Sequence, residues 1–317
     1  MTCKCCNHTA KKFGRYGKRH TQRYRCTTCK LTFSEYEPKL GTHYTDPETA
    51  AKALAMMLEG MSVRAISRLT SLHKGTVLSL MNTAAERAVS LHDSAVRNVR
   101  VRYLQADEVW GFCGKKQRRV RQGDSPELGD AWMFVGLDAE SKMIVSYIIG
   151  KRTRETTYQF LLDLRDRLAE DRRFQLTTDG FHFYIRGVED VFAGQSDFAQ
   201  LVKLFGDFYI DTPEARYSPP RISGVISKIR DGRPDPLHIS TSFVERSNLN
   251  LRMHLRRFTR LTNAFSKKLD NLKAAVALYV TWHNFCRIHQ TLRVTPAMQA
   301  GLTDHVWELS ELFSVAE

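Results

Sequence analysis

Residues 99–179 follow a strand–strand–strand–helix–strand pattern. VRVRYLQAD alternates apolar and polar side chains, and the apolar runs AWMFVGLDA and MIVSYIIG follow it, joined by the turn Asp138–Ser141. RETTYQFLLDLRDRLAE repeats its apolar residues at helical spacing, and FQLTTD is a further strand. Three meandering strands, a crossover helix and a fourth strand predict a mixed α/β sheet in which the fourth strand lies parallel beside the first.

Three acidic residues stand out in this pattern and after it. Asp107 closes VRYLQAD, Asp179 closes FQLTTD, and Glu245 lies in TSFVERSNLNLRMHLRRFTR. If the two strands are parallel neighbours, Asp107 and Asp179 meet at one sheet edge, where ligand sites commonly lie. Carboxylates that close raise each other's pKa unless a divalent cation holds them. Asp107 and Asp179 could instead belong to turns, the second with Gly180. Glu245 could instead complete a capping box with Ser242.

Basic residues are concentrated in two blocks. The 317-residue chain has a formal net charge of +14, and residues 1–45 and 242–293 each hold ten Lys or Arg against two Asp or Glu. Such a surface favours a polyanionic partner, because neutralising phosphates releases counterions. The alternative is a solvated surface that serves solubility. Since no segment approaches the roughly 20 apolar residues of a membrane span, we expect a cytoplasmic, nucleoid-associated protein without membrane contact.

Residues 1–40 contain two Cys-x-x-Cys pairs. Nineteen residues separate Cys3 and Cys6 from Cys26 and Cys29. This spacing predicts a zinc ribbon with one structural Zn²⁺, and the metal would stabilise a segment that has little apolar bulk. Cys5 could replace Cys6 as a ligand.

The loop between the two cysteine pairs interleaves basic and aromatic residues. It reads GRYGKRHTQRYR, and we expect Arg23 and Arg25 to contact DNA phosphates. A ribbon that serves only as a brace is the alternative.

Residues 44–92 predict a helix-turn-helix DNA-binding domain. Asp46 and Pro47 open a first helix, SVRAISRL forms a second, and KGTVLSLMNTAAERA forms a third after a tight turn. The third helix would present Lys74, Gly75 and Ser79 to a groove. A plain three-helix packing unit is the alternative.

Residues 242–260 predict a basic amphipathic helix. Glu245, Arg252 and Arg256 share one stripe, with Asn248 at its border. One carboxylate with two guanidinium groups beside it can hold a metal ion and bind the flanking phosphates. Before this helix, residues 187–240 are predicted to be an elaboration of the sheet, with FGDFYID and SGVISKIRDG as possible strands.

Several of these segments resemble one protein family. ERSNLNLRMHLRRFTRLTNAFSK, ADEVWGF and TTDGFHFY are similar to transposases of the insertion sequence one family, as are CKCC…QRYRCTTCKLTFS and the helices that follow it. The likeness runs from about residue 3 to residue 285. The tail also resembles the close of other DDE-type integrase cores, in Asn284, Arg287, His289, Thr295 and Pro296.

The resemblance implies an α/β chain with a ribonuclease H-like DDE catalytic domain at 99–290, an insertion at 187–240 and a C-terminal tail at 291–317. Asp107, Asp179 and Glu245 map onto the DDE triad, which would hold two Mg²⁺ or Mn²⁺ ions.

The implied activity is DNA transposition. The ribbon and the helix-turn-helix would bind transposon ends, and the catalytic domain would cleave a strand and join its 3′-hydroxyl to target DNA. Arg252 and Arg256 would position phosphates, and Asn248 or His182 would help alignment. Two ends must be held together, so at least a homodimer is expected. The alternatives are a zinc and helix-turn-helix regulator with an inactive or co-opted nuclease-like domain, and a ribonuclease or repair nuclease.

Overall fold

The chain divides into an N-terminal unit, Met1–Lys52, and a main unit, Ala53–Glu317. The computed structural model describes residues 1–3, 5–16, 20–34, 45–205, 222–259 and 262–311. Among the helices in these ranges, none has the length and apolar character needed to cross a bilayer.

The N-terminal unit contains a small antiparallel sheet. Its strands are β1 (Ala10–Tyr16), β2 (Thr21–Cys26) and β3 (Thr32–Ser34), in that order across the sheet. Most of their side chains are exposed or half-buried, so this sheet buries little apolar surface of its own.

Three helices follow along the chain, and the second and third of them lie in the main unit. They are α1 (Pro47–Leu58), α2 (Val63–Thr70) and α3 (Lys74–Ala95). The predicted start signals are confirmed, since the side chains of Asp46 and Ser62 accept hydrogen bonds from backbone N–H groups of the first turns of α1 and α2. The third helix is longer than predicted and packs along a late helix of the chain.

A six-stranded mixed sheet forms the centre of the main unit. Its order is β6-β5-β4-β7-β8-β9. The strands are β4 (Tyr103–Cys113), β5 (Gly129–Asp138), β6 (Ile144–Gly150), β7 (Phe174–Thr178), β8 (Ser196–Phe205) and β9 (Ile222–Asp231). β4, β5 and β6 are antiparallel neighbours, whereas β7 lies parallel to β4 and β8 parallel to β7. The predicted mixed α/β sheet is therefore confirmed, and its predicted fourth strand, β7, lies parallel beside the first, β4.

The segment predicted as an insertion contributes directly to this sheet. After β7 the chain forms α5 (Phe183–Phe192) and returns in β8, and β9 pairs antiparallel with β8 at the sheet edge. β9 contains SGVISKIRD of the predicted strand SGVISKIRDG. The other predicted strand, FGDFYID, lies outside the described residues apart from Phe205.

Helices cover the two faces of the sheet. On one face, α4 (Arg154–Arg167) and α5 pack over the apolar side chains of the central strands, with Phe134, Phe160 and Tyr184 in the shared core. On the other face lies α6 (Ser242–His254), which contacts β4 and β5. Because side chains alternate along a strand, neighbouring residues of β4 face different helices.

The C-terminal part of the chain packs against α3 and bonds to the edge strand β6. α7 (Leu269–Thr281) continues into a π-helical turn, Trp282–Cys286, and packs along α3. In that turn Asn284 accepts a hydrogen bond from the N–H of Ile144 at 3.0 Å and donates one to its carbonyl at 2.9 Å. Asn284 therefore satisfies both backbone groups of Ile144, the first residue of edge strand β6. A short helix, α8 (Pro296–Gln299), follows.

Candidate functional site: an acidic cluster beside helix α6

Asp107 and Asp179 lie side by side across two parallel strands. Ala106 of β4 is paired with Thr178 of β7, so the next residue of each strand brings the two aspartates together. Carboxylate oxygens of Asp107, Glu108 and Asp179 all lie within 4.8 Å of one another. The predicted meeting of the two aspartates is therefore observed, and a third acid that we did not predict joins them.

The position of Asp107 within its strand differs from the prediction. We expected β4 to end at Asp107, but the strand continues to Cys113, and Asp107 is paired with Val135 of β5. The strand continues because the following residues, EVWGFC, are mostly apolar and pair with β5 as far as Gly129. Asp107 therefore lies inside a strand and is paired with β5, while the pairing of β4 with β7 ends at the preceding residue, Ala106.

Two side chains of β4 fix the start of α6. Gln105 Oε1 accepts hydrogen bonds from the N–H groups of Phe243 at 2.9 Å and Val244 at 3.0 Å. Two positions further along β4, Asp107 Oδ2 accepts a hydrogen bond from Asn248 Nδ2 at 2.8 Å. Gln105 thus satisfies backbone donors of the first helical turn that have no partner within the helix. The prediction had no role for Gln105, and its only signal was a polar residue on the same strand face as Asp107.

Glu245 lies next to this cluster but is not part of it. Its Oε1 accepts hydrogen bonds from Lys203 Nζ of β8 and from the hydroxyl of Thr241. Its side chain is 40% exposed. The charge of Glu245 is close enough to contribute to the raised pKa values of Asp107 and Asp179. The structure therefore places the third predicted acid within electrostatic reach of the other two, with its carboxylate held by Lys203.

The buried Glu108 forms an ion pair with the partly exposed Arg152, which the sequence did not indicate. The side chain of Glu108 is 1% exposed, and its Oε2 accepts hydrogen bonds from Arg152 Nε at 3.1 Å and Nη2 at 2.9 Å. The same guanidinium lies 3.6 Å from Asp179 Oδ2 and 3.9 Å from the centre of the Phe181 ring. Arg152 therefore contacts two of the three clustered acids.

The cluster carries more negative charge than the protein compensates. Burial, together with the charge of Asp179, raises the pKa of Asp107 to about 6 and that of Glu108 to about 7. Burial also raises the pKa of Asp179, although the Phe181 N–H and the Arg152 charge oppose the rise. Hard divalent cations such as Mg²⁺ and Mn²⁺ prefer carboxylate oxygens, so the donor set fits such an ion.

The basic stripe predicted on α6 is only partly present. We expected one helix over 242–260, but α6 ends at His254, and Arg256 lies in a short 3₁₀ turn, Arg256–Phe258. The chain turns there because Phe258 packs against Gly111 of β4, where a Cβ atom would lie 3.1 Å from the ring. Arg256 is exposed and Arg252 is half-buried, so the two guanidinium groups do not share a helical stripe.

Asn248 and His182, the two residues expected to help alignment, lie in different surroundings: one is buried and the other is exposed. Asn248 is buried and bonded to Asp107, so it is placed to orient that carboxylate and not to reach outward. His182 is exposed at the start of α5, beside the ring of Phe183.

The predicted contacts of the helix-turn-helix lie at the start of α3. Lys74 and Gly75 are exposed in the first turn, and Ser79 is half-buried. The rest of α3 buries one face in the main unit, including Val77 and Leu80.

In the N-terminal unit four cysteines come together as predicted. Sulfur atoms of Cys3, Cys6, Cys26 and Cys29 lie within 4.8 Å of one another, and Cys5 is exposed and outside the group. The structure thus selects Cys6 over Cys5. Four thiolates at this spacing fit a tetrahedral Zn²⁺ site.

The predicted basic residues of this unit lie on one face of β2. Arg23 and Arg25 alternate with the buried Tyr24, and both guanidinium groups lie over the exposed ring of Phe13, at 5.9 and 5.2 Å. Cation–π contacts of this kind hold the guanidinium groups in place while leaving hydrogen-bond donors available.

Comparisons with known proteins give a limited result. No protein-family model and no curated protein matches the chain. Among solved structures, it is similar to a piggyBac transposase synaptic complex with hairpin DNA, with 10% identity, a TM-score of 0.34, and 85% of this chain and 70% of that chain covered. It is also similar to the Mos1 strand transfer complex, with 14% identity and a TM-score of 0.22, over 49% of this chain and 59% of that one. A Mos1 transposase paired-end complex with the left transposon end gives 13% identity and a TM-score of 0.22, over 49% and 60%. The chain thus spans about three fifths of the length of the Mos1 chains that it matches. Because these TM-scores are all below 0.5, we base no conclusion about fold or function on these similarities.

Proposed function

We propose that this protein is a DNA transposase that uses divalent metal ions to cleave a strand and to join its 3′-hydroxyl to target DNA. The observation that supports this most is that Asp107 and Asp179 lie next to each other where the pairing of β4 with β7 ends, with α6 bonded to Asp107 through Asn248. Buried acids that raise each other's pKa, in a chain with a net charge of +14, suit phosphoryl transfer on a polyanion.

Each acid of the cluster has a distinct role in this proposal. Asp107 and Asp179 hold divalent ions, Mg²⁺ or Mn²⁺, and Glu245 is the third ligand. Glu108 is a less suitable ligand because Arg152 already neutralises it. When bound, such ions stabilise the attacking and the leaving oxygens of a phosphodiester.

The remaining residues of the site position these acids. Gln105 fixes the first turn of α6, and Asn248 orients the Asp107 carboxylate. Arg152 offsets part of the negative charge, so that the site can form before metal binds. None of these groups needs to form a covalent bond with DNA.

DNA binding is assigned to the basic residues away from the acids. In this proposal Arg252 and Arg256 bind phosphates near the cluster, while Lys74 and Ser79 at the start of α3 contact the transposon end. Arg23 and Arg25 of the cysteine-bound unit contact further phosphates, and the four cysteines hold one Zn²⁺. Two copies of the chain, at least, hold the two ends.

Strand cleavage and joining in vitro test this proposal. The probe is DNA that carries the sequences flanking the gene, incubated with Mg²⁺ and an unrelated target plasmid. We expect nicking and joined products with the full chain, no products with Asp107→Ala, and unchanged DNA binding by that variant. Asp190→Ala, an exposed acid of α5, is the matched control.

Three outcomes would contradict the proposal. Normal joining by Asp107→Ala removes the acid cluster from the chemistry. Nicking without joining identifies a nuclease, and binding without any cleavage identifies a regulator.

A further inference from the structure

A cavity of about 580 Å³ lies next to the far end of β4. Four of the residues that line it are aromatic: the half-buried Trp110, Phe112 and Phe265, and the buried Phe258. Five others are Lys or Arg, among them Lys116 and Arg257, and no Asp or Glu is found among its described lining residues. Rings and cations without acids form a surface that suits an anionic, planar ligand.

Arg257 is the strongest sign that this cavity takes an anion. Burial lowers the pKa of its guanidinium to about 10. Its Nε donates to Ser266 Oγ at 2.9 Å, while Nη1 and Nη2 face the sulfur atoms of Met57 and Met81, at 4.0 and 3.4 Å. Within the described ranges no carboxylate lies at ion-pair distance from Arg257. A buried cation that has only neutral partners is costly, and an anion in the cavity would compensate its charge.

The aromatic residues offer a surface on which a base can stack. The ring centres of Phe112 and Phe265 lie 4.7 Å apart, and those of Trp110 and Phe112 lie 5.8 Å apart. All three side chains are only half-buried, so part of each ring stays open to the cavity. Stacking a nucleobase on such a ring contributes about 1–3 kcal/mol and needs no particular base.

The position of Trp110 relates the cavity to the acids. Trp110 follows Glu108 by two positions on the same face of β4, which corresponds to about 7 Å at roughly 3.3 Å per residue. That distance equals about two steps of a stacked DNA strand at about 3.4 Å each, and fewer steps if the strand is unstacked. A nucleotide near a phosphate bound at the acids would therefore reach the cavity.

We propose that this cavity binds one unpaired nucleotide of the DNA strand that lies at the acidic cluster, with its base against Trp110 and its phosphate at Arg257. The inference rests on the proposed function, and it adds that the protein takes a base out of the duplex stack close to the reacting phosphate. Unstacking costs a few kcal/mol, which the aromatic and ionic contacts of the cavity offset.

Binding to DNA with and without a single-stranded tail tests the base contact. The probes are a fluorescently labelled blunt duplex and the same duplex with a short oligothymidine tail, measured by anisotropy in a buffer without added Mg²⁺ or Mn²⁺. We expect Trp110→Ala to weaken binding of the tailed duplex about tenfold and to leave the blunt duplex unchanged. Tyr158→Ala, an exposed aromatic of α4, is the matched control and should change neither. Equal losses for both duplexes would overturn the proposal.

A tail of abasic sites isolates the stacking contact. If the base lies on the ring, Trp110→Ala loses its effect when the tail has no bases, as in a double-mutant cycle. A loss that persists with the abasic tail shows that Trp110 does not contact a base. Phe265→Ala should also weaken binding of the tailed duplex and lose this effect with the abasic tail. Circular dichroism shows whether either variant is misfolded, and if one is, the other variant still tests the base contact.

The phosphate contact is tested by salt dependence. Arg257→Met should reduce the slope of log affinity against log salt for the tailed duplex by about one, whereas Arg172→Met, an exposed control, should not change the difference between the two duplexes. An unchanged slope with Arg257→Met overturns that contact.

One further control separates the possible origins of such binding. If thymidine monophosphate competes as strongly as the tailed duplex, the cavity is a site for free nucleotides and not for a strand. Because these measurements need neither metal nor cleavage, they can succeed with an inactive chain. A chain that cleaves and joins DNA could still show no effect of Trp110→Ala on binding. The binding measurements therefore test the nucleotide site separately from the proposed transposase activity.

Discussion

Asn248 of α6 donates a hydrogen bond to Asp107 of β4 at 2.8 Å. This contact joins the helix that carries Glu245 to the central strand of the sheet. It also lowers the pKa of Asp107, against the larger effect of burial, which raises it to about 6. One amide thus connects the position of the third proposed ligand to the charge state of the first.

Replacing Asn248 with leucine should destabilise the folded protein. Asp107 would keep its burial and lose its side-chain donor, so we expect a loss of about 1–3 kcal/mol in the free energy of unfolding. Urea denaturation at pH 7 measures it. Asn250→Leu, on the same helix and half-buried, is the control, and equal losses in the two variants would show that the Asp107 contact is not responsible.

Arg152 should stabilise the protein mainly through Glu108. Arg152→Met leaves a carboxylate that is 1% exposed without its ion-pair partner. Breaking a buried pair costs about 3–5 kcal/mol, and because Arg152 is itself 33% exposed we expect a smaller loss, about 2 kcal/mol. Glu108→Gln in the same chain should restore much of this loss, and Arg154→Met should be neutral. Additive losses in the double variant would contradict the coupling.

The sequence predicted those parts of the structure that depend on local patterns. Alternating or continuous apolar residues predicted β5, β6 and β7, and apolar residues at helical spacing predicted α4. The rule for crossover connections favoured the parallel pairing of β4 with β7. The cysteine spacing gave the four-sulfur cluster. In each case the signal is contained in a short segment.

Contacts between distant segments were not predictable in the same way. Glu108 and Arg152 are 44 positions apart, and Gln105 and Val244 are 139 apart, so no spacing rule connects them. The end of α6 at His254 was also missed, because the helical period continues through Phe258 and only the packing of that ring against Gly111 interrupts it.

Two buried histidines should make the protein sensitive to acid. Burial lowers the pKa of His92 and of His283 from 6.5 to about 4. Below pH 6.5 the unfolded chain binds protons at these residues that the folded chain does not bind, so stability is lost as the pH falls towards 4. The loss is up to about 3 kcal/mol per histidine. His92→Gln should flatten the dependence of unfolding free energy on pH between 6.5 and 4, and the exposed His182→Gln should not. A variant that follows the parent profile would contradict this.

Cys5 and Cys6 should differ in their contribution to metal content. Cys6 lies in the four-sulfur cluster and Cys5 lies outside it, so Cys6→Ser should lose the bound Zn²⁺ while Cys5→Ser retains about one equivalent. Elemental analysis of the purified chains measures the content. Because β1–β3 bury little apolar surface, the Cys6→Ser variant should also lose protection of its N-terminal amides in hydrogen exchange. Zinc loss in Cys5→Ser alone would reverse the ligand assignment.

Substitutions of Glu245 and Glu108 should identify the third metal ligand. Glu108 is 1% exposed and paired with Arg152, whereas Glu245, which is paired with Lys203, is 40% exposed and therefore more accessible to an ion from solution. We therefore expect Glu245→Gln to weaken Mn²⁺ binding on the order of tenfold or more, and Glu108→Gln to change it about twofold or less. Lys203→Met removes the competing cation and should strengthen Mn²⁺ binding, provided that Glu245 is present. Calorimetric titration at pH 7.5 measures all three, with Asp190→Asn as the control. If Glu108→Gln weakens binding more than Glu245→Gln does, the ions lie between Asp107, Glu108 and Asp179, and Glu245 serves only to anchor α6 through Lys203 and Thr241.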